Sequence, residues 1–188
     1  MNAPLLTVRS ISTAPAAVTN ARVITAAGAV EMLRTVSSSA FIADPALTLP
    51  DGARPTDVAF VNVDVDPEDE LLVADAGGSA VLVFEPEGSG TYGARTAFGV
   101  TDPPSAIAAG DLDGDGILEL IVASRDRSTI RIFDSGTRSE EDVIVGVTGP
   151  LDVVVTDLEG DGRADLVVGG GSGSVGAQLT VLRAACVP

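Results

Sequence analysis

The sequence predicts an all-β fold assembled from repeated small sheets, and three observations carry that prediction. An acidic loop recurs three times at a near-constant interval, which marks a repeat architecture. Each copy runs straight into a short apolar stretch rich in Val, Leu and Ile, the composition of a buried strand. The core is aliphatic, because 45% of the 188 residues are hydrophobic while 3% are aromatic and Trp is absent.

The three copies are "NVDVDPEDELLVAD" at 62–75, "DLDGDGILELIVAS" at 111–124 and "DLEGDGRADLVVGG" at 157–170. Their first positions lie 49 and 46 residues apart, the size of one supersecondary unit in a propeller or solenoid. The 111–124 copy opens like an EF-hand loop. An EF-hand, however, needs a bidentate Glu at position twelve and a helix beyond it. Position twelve here is Val122, inside the apolar run, so that reading fails on spacing.

What remains is a shorter loop with oxygen donors at positions one, three, five and nine. These are Asp111, Asp113, Asp115 and Glu119; Asp157, Glu159, Asp161 and Asp165; and Asn62, Asp64, Asp66 and Glu70. Position seven (Ile117, Arg163 and Glu68) completes each candidate metal set. Carboxylates folded this close repel one another unless a cation sits among them. Oxygen donors without His or Cys favour Ca²⁺ over zinc or copper. A solvated acidic turn with no metal is the plain alternative for one copy, and the repetition weighs against it. Gly114 and Gly116 suit a tight loop that needs positive φ. The 62–70 copy has Val65 and Pro67 there instead and is predicted to be the weakest site.

Aligning the loops also aligns their flanks. Upstream lie "TDVAFVNVD", "SAIAAGDLD" and "LDVVVTDLE"; downstream come "AVLVFEPE", "TIRIFDSG" and "QLTVLRAA". "RTAFGVTDP" and "DVIVGVTGP" close the first two of these units. Four short strands per unit, separated by Gly, Asp, Ser and Pro, describe propeller blades better than helical repeats.

These units resemble the FG-GAP/VCBS repeats of integrin-alpha-like propellers and many bacterial secreted proteins. "FGVTDPPSAIAAGDLDGDGILELIVAS" carries Phe98-Gly99, then a Pro, the acidic loop and the apolar strand, and Gly146 with Pro150 repeats part of this. The resemblance covers residues 55–188. It implies that the loop between the first two strands of a blade holds Ca²⁺. Glu70 and Glu119 stand where the family more often has Asp, and Asn62 also replaces Asp; each keeps an oxygen donor.

The expected architecture is one propeller domain of about four four-stranded blades. Residues 15–54 form a degenerate blade, in which Asn20 is the remnant of the acidic loop and no metal is expected. Residues 55–103 and 104–149 are full blades, and 150–188 is a blade lacking its outer strand. Residues 1–14 have the character of that missing strand and are predicted to pair beside residues 179–182, closing the ring. The rival is an open fragment that pairs with a second copy or with further blades.

Several function classes are excluded or disfavoured. A net charge of −16 argues against binding through nucleic-acid phosphates. No apolar run reaches membrane-span length, and "MNAPLLTVRS" lacks the features of a signal peptide. Cys186 is the single cysteine and His is absent, so a Cys-His nucleophile and a His general base are ruled out. The "GGGSGSVG" stretch at 169–176 lacks the Lys and helix of a phosphate loop and reads as a hairpin turn. The expectation is a non-enzymatic, secreted or cell-surface Ca²⁺-binding module for a protein or glycan ligand, monomeric or self-assembling. A lectin-like propeller, or part of a larger propeller attached to an enzyme or adhesin, is the alternative. Tyr92 is the aromatic singled out for sugar stacking.

Overall fold

The computed structural model describes residues 22–26, 29–37, 40–43, 47–64, 66–88, 91–173 and 176–184. The strands fall into four antiparallel sheets in chain order. The first holds β1 (Arg22–Ala26), β2 (Ala29–Ser37), β3 (Ala40–Ala43) and β4 (Leu47–Thr48). The second holds β5 (Pro55–Val61), β6 (Glu70–Asp75), β7 (Ala80–Gly88) and β8 (Thr91–Gly99). The third holds β9 (Ala106–Gly110), β10 (Glu119–Ser124), β11 (Thr129–Asp134) and β12 (Glu140–Val145). The fourth has, among the described residues, three strands, β13 (Pro150–Thr156), β14 (Asp165–Ser172) and β15 (Gly176–Leu182). Each acidic loop joins the first strand of a sheet to its second, and no helix occurs among the described residues.

The apolar runs form strands buried on both faces, as successive face-to-face sheets require. Every residue of β6 and β10 is buried. Side chains alternate across a strand, so Leu71 and Val73 pack with Val30 and Leu49 of the first layer. Leu72 and Ala74 point the other way, against Ile107, Leu120 and Val122. Ile121 and Ala123 then meet Val153, Leu166 and Val168. Burying each Leu or Ile in this way contributes about 1.5–3 kcal/mol.

Hydroxyls join neighbouring sheets at equivalent positions. The Thr56 hydroxyl lies 3.2 Å from the Ala74 carbonyl of its own sheet and 3.0 Å from the Pro104 carbonyl ahead of β9. The Ser105 hydroxyl repeats this at 3.1 Å from Ala123 and 2.8 Å from Pro150.

One sequence expectation is corrected, and others lie outside the described residues. The first sheet departs from the blade pattern: β3 and β4 both pair along one edge of β2, as in Leu33↔Ala43 and Val30↔Leu47. Residues 169–172 belong to β14 rather than to a turn. Glycine is needed there because a Cβ on Gly171 (φ 138°) would sit 2.1 Å from the Gly176 carbonyl. The 1–14 closing strand, Asn20 and Cys186 lie outside the described residues.

The fourth sheet keeps one face open among the described residues. Val154, Val167 and Val181 form a cross-strand row, with Val154 50% and nearby Leu179 72% exposed.

Candidate metal-binding loops

The three loops share one brace. The position-nine carboxylate accepts the main-chain N–H of position two: Glu70 from Val63 at 2.7 Å, Glu119 from Leu112 at 2.6 Å and Asp165 from Leu158 at 3.0 Å. Position nine opens the second strand of each sheet and is buried, so the brace pins the loop's start to the sheet.

In the 111–119 loop, Asp111 accepts N–H groups from Gly114 at 2.6 Å and Gly116 at 2.9 Å. Gly114 and Gly116 have φ of 83° and 88°, the left-handed backbone that the sequence placed there. Asp113 accepts from Asp115 and Asp115 from Ile117. The result brings one oxygen each of Asp111, Asp113 and Asp115 within 4.8 Å of one another. Ligand oxygens around one Ca²⁺, at about 2.3–2.6 Å each, lie up to about 5 Å apart, so this spread suits a single ion. Glu119 stands outside that group as the brace, its carboxyl pushed up by burial, against the Leu112 N–H and with the charge of Asp113 adding. The Ile117 side chain is exposed.

The 62–70 loop is assembled differently. Asp64 and Glu70 join Glu85 of β7, again with oxygens within 4.8 Å. Asn62 accepts from the Asp64 N–H at 3.3 Å and turns its amide toward the Asp66 carbonyl. Asp66 accepts from the Glu68 N–H, and both residues face solvent. Glu70 is 0% exposed and its Oε1 has no hydrogen-bond partner. Burial raises its carboxyl, the Val63 N–H opposes this, and Asp64 adds to it. An unmatched buried carboxylate oxygen is costly, and a cation among the three carboxylates would satisfy it.

Among the described residues, the 157–165 loop gathers no comparable group of three. Asp157 takes N–H bonds from Glu159, Gly160, Asp161 and Gly162, and those from Gly162 above all hold its carboxyl below the usual range. Glu159 is ion-paired with Arg183. Asp161 accepts from the Arg163 N–H at 3.0 Å, while the Arg163 side chain lies over Gly114 of the preceding loop. Asp165 has both oxygens engaged, by Leu158 and by the Ala184 N–H at 3.0 Å.

Glu85, on β7, and Arg183, directly after β15, were missed in the sequence because they lie outside the loop spacing. The signal was present in the alignment of units, where both follow the same apolar stretch. Tyr92 is corrected too. It lies in β8, half-buried, with its ring 5.7 Å from that of Phe60 and its hydroxyl donating to the Asp69 carbonyl at 3.1 Å. Burial first, then Asp69 and Glu70, push that hydroxyl up to about 12. It is no open stacking platform.

Comparisons with known proteins agree on the architecture. No curated protein matches the chain. Among solved structures, BBS1N, crystallised in complex with ARL6DN, shares 16% identity over 88% of this chain and 49% of its own, with a TM-score of 0.54. A protein from Lactobacillus plantarum gives 16% identity, 87% and 53% coverage and a TM-score of 0.53. A protein of unknown function from Bacteroides caccae gives 13%, 87% and 57%, also at 0.53. The chain thus spans about half the length of these structures, and at such identities the likeness concerns the fold alone. The profile of the FG-GAP-like repeat matches residues 62–122 and 111–168, which together run over more than half of the 188 residues. By that match, the chain belongs to the FG-GAP-like repeat family.

Proposed function

We propose that this chain is a non-catalytic Ca²⁺-binding propeller module, in which the cation rigidifies the loops between first and second strands and presents a fixed surface to a protein partner. The carrying observation is the convergence of Asp111, Asp113 and Asp115 within 4.8 Å, on a loop whose backbone is already set by Gly114 and Gly116. Asp111, Asp113 and Asp115 would hold the ion. It would neutralise their repulsion and tie the loop to the sheet through Glu119. A secreted or cell-surface setting fits such sites, since calcium is plentiful outside cells. The half-buried position of Tyr92 near Phe60 supports a protein rather than a sugar ligand.

The test is thermal melting with and without calcium. Ca²⁺ binding the folded state adds about 2.7 kcal/mol per site at a hundred times Kd. Mg²⁺ should rescue poorly after chelation, because it gives up its water reluctantly. An identical melting curve in chelator and in excess Ca²⁺ would remove the calcium reading.

A further inference from the structure

We infer that this chain binds two divalent cations rather than three, and that the residue at or just past the end of the third strand's apolar run decides this for the 62–70 and 157–165 loops. The inference rests on the calcium reading above and assigns its sites. The position lies across the hairpin from position nine of the loop. In the third sheet the pair is Glu119↔Asp134. In the second sheet Glu85 stands one step beyond the Leu71↔Phe84 pair, facing Glu70. In the fourth, Arg183 follows β15 directly, one step beyond Leu166↔Leu182, next to the Ala184 whose N–H donates to Asp165.

The three residues do different work. Asp134 is turned into its own hairpin, accepting from the Thr137 N–H at 2.6 Å and its hydroxyl at 2.7 Å. The 111–119 loop therefore relies on its own Asp111, Asp113 and Asp115. Glu85 instead adds a carboxylate to the 62–70 loop, whose Asn62 is neutral and points its amide inward at Asp66. The independent sign of a missing ligand here is Glu70: wholly buried, one oxygen on Val63, the other without a partner and within 4.8 Å of oxygens of Asp64 and Glu85. A cation among the three carboxylates would compensate that buried oxygen and their mutual repulsion. Arg183 provides the opposite solution. Its guanidinium pairs with Glu159, and Asp165 has both oxygens satisfied by N–H groups. That loop carries its own fixed cation and closes without metal.

The experiment is calcium binding to the full chain by calorimetry, paired with terbium luminescence. Tyr92 is the single tyrosine and Trp is absent, and its hydroxyl lies 3.1 Å from the Asp69 carbonyl. Tyrosine-sensitised terbium emission therefore reports the 62–70 loop. Two equivalents of Ca²⁺ are expected in the parent chain. Glu85→Gln should leave one, and should weaken the sensitised terbium titration at least about tenfold. Glu85→Asp, which keeps the charge, should retain both and controls for folding. Arg183→Asp, which copies the third sheet's residue, should raise the count to three. Three equivalents in the parent, an unchanged terbium titration in Glu85→Gln, or a count still at two in Arg183→Asp would overturn the inference. No bound calcium in the parent would instead strike the calcium reading on which it stands.

Discussion

Asp57 of β5 accepts the main-chain N–H of Ile107 of β9 at 2.9 Å, so a single carboxylate joins the first strands of two successive sheets. Burial chiefly raises its pKa, to about 6; the N–H groups of Ile107 and Val58 oppose the rise and Asp152 adds to it. The folded state thus favours the protonated acid. Its contribution is fully present below about pH 4, and is lost as pH rises through about 6. At neutral pH the ionised group costs about 3 kcal/mol, taking 1.36 kcal/mol per unit. Asp57→Asn keeps an acceptor for Ile107 and removes the charge. It should stabilise the chain at pH 7 and leave it nearly unchanged at pH 4, measured by urea unfolding at both. An equal effect at the two values would show that the carboxyl titrates normally.

Truncation of equivalent core residues should separate covered from open faces. Leu72 and Ile121 are fully buried between sheets, so Leu72→Ala and Ile121→Ala should each cost about 2–5 kcal/mol. Val167 occupies the same register in the fourth sheet but is only half-buried. Val167→Ala should cost well under half as much. Equal losses in chemical denaturation would mean that its face is covered in solution.

Loop-by-loop carboxylate removal gives a further check. Asp115→Ala should abolish one equivalent of bound calcium, because Asp115 belongs to the converging group. Asp161→Ala should leave the count unchanged, since Arg183 already neutralises that loop through Glu159. Calorimetric stoichiometry reads both.

Gly171 offers a backbone test. Its φ of 138° and a would-be Cβ 2.1 Å from the Gly176 carbonyl leave no room for a side chain. Gly171→Ala should destabilise by about 1–3 kcal/mol, visible as a lower melting temperature. Gly173→Ala, where nothing lies within 4 Å, should be close to neutral.

The loops and the strands after them were legible because their chemistry is local. Position nine falls on the strand start, and the glycines of the 111–119 loop take the positive φ that their spacing implied. Partnership across a hairpin was not legible in the same way. Glu85 and Arg183 look like ordinary polar residues until the fold brings Glu85 beside Glu70 and Arg183 onto Glu159. Tyr92 misled for a related reason: its glycine-rich neighbours read as a turn, while packing on Phe60 fixes it in a strand. The first sheet was the least legible, because no acidic loop sets its register and β4 is two residues long.

The row Val154–Val167–Val181 matches Ala59–Leu72–Val83 and Ala108–Ile121–Ile132 of the earlier sheets in register and in apolar character. Those two rows are each capped by the sheet that follows. The junctions are therefore alike: among the described residues the exposed row offers the same apolar face that the two earlier rows offer their neighbours. In a repeat array stability is approximately a sum over nearest neighbours, so each such junction contributes on its own account. Tandem duplication of a segment such as 104–149 would add one more junction of the kind that already joins the second and third sheets.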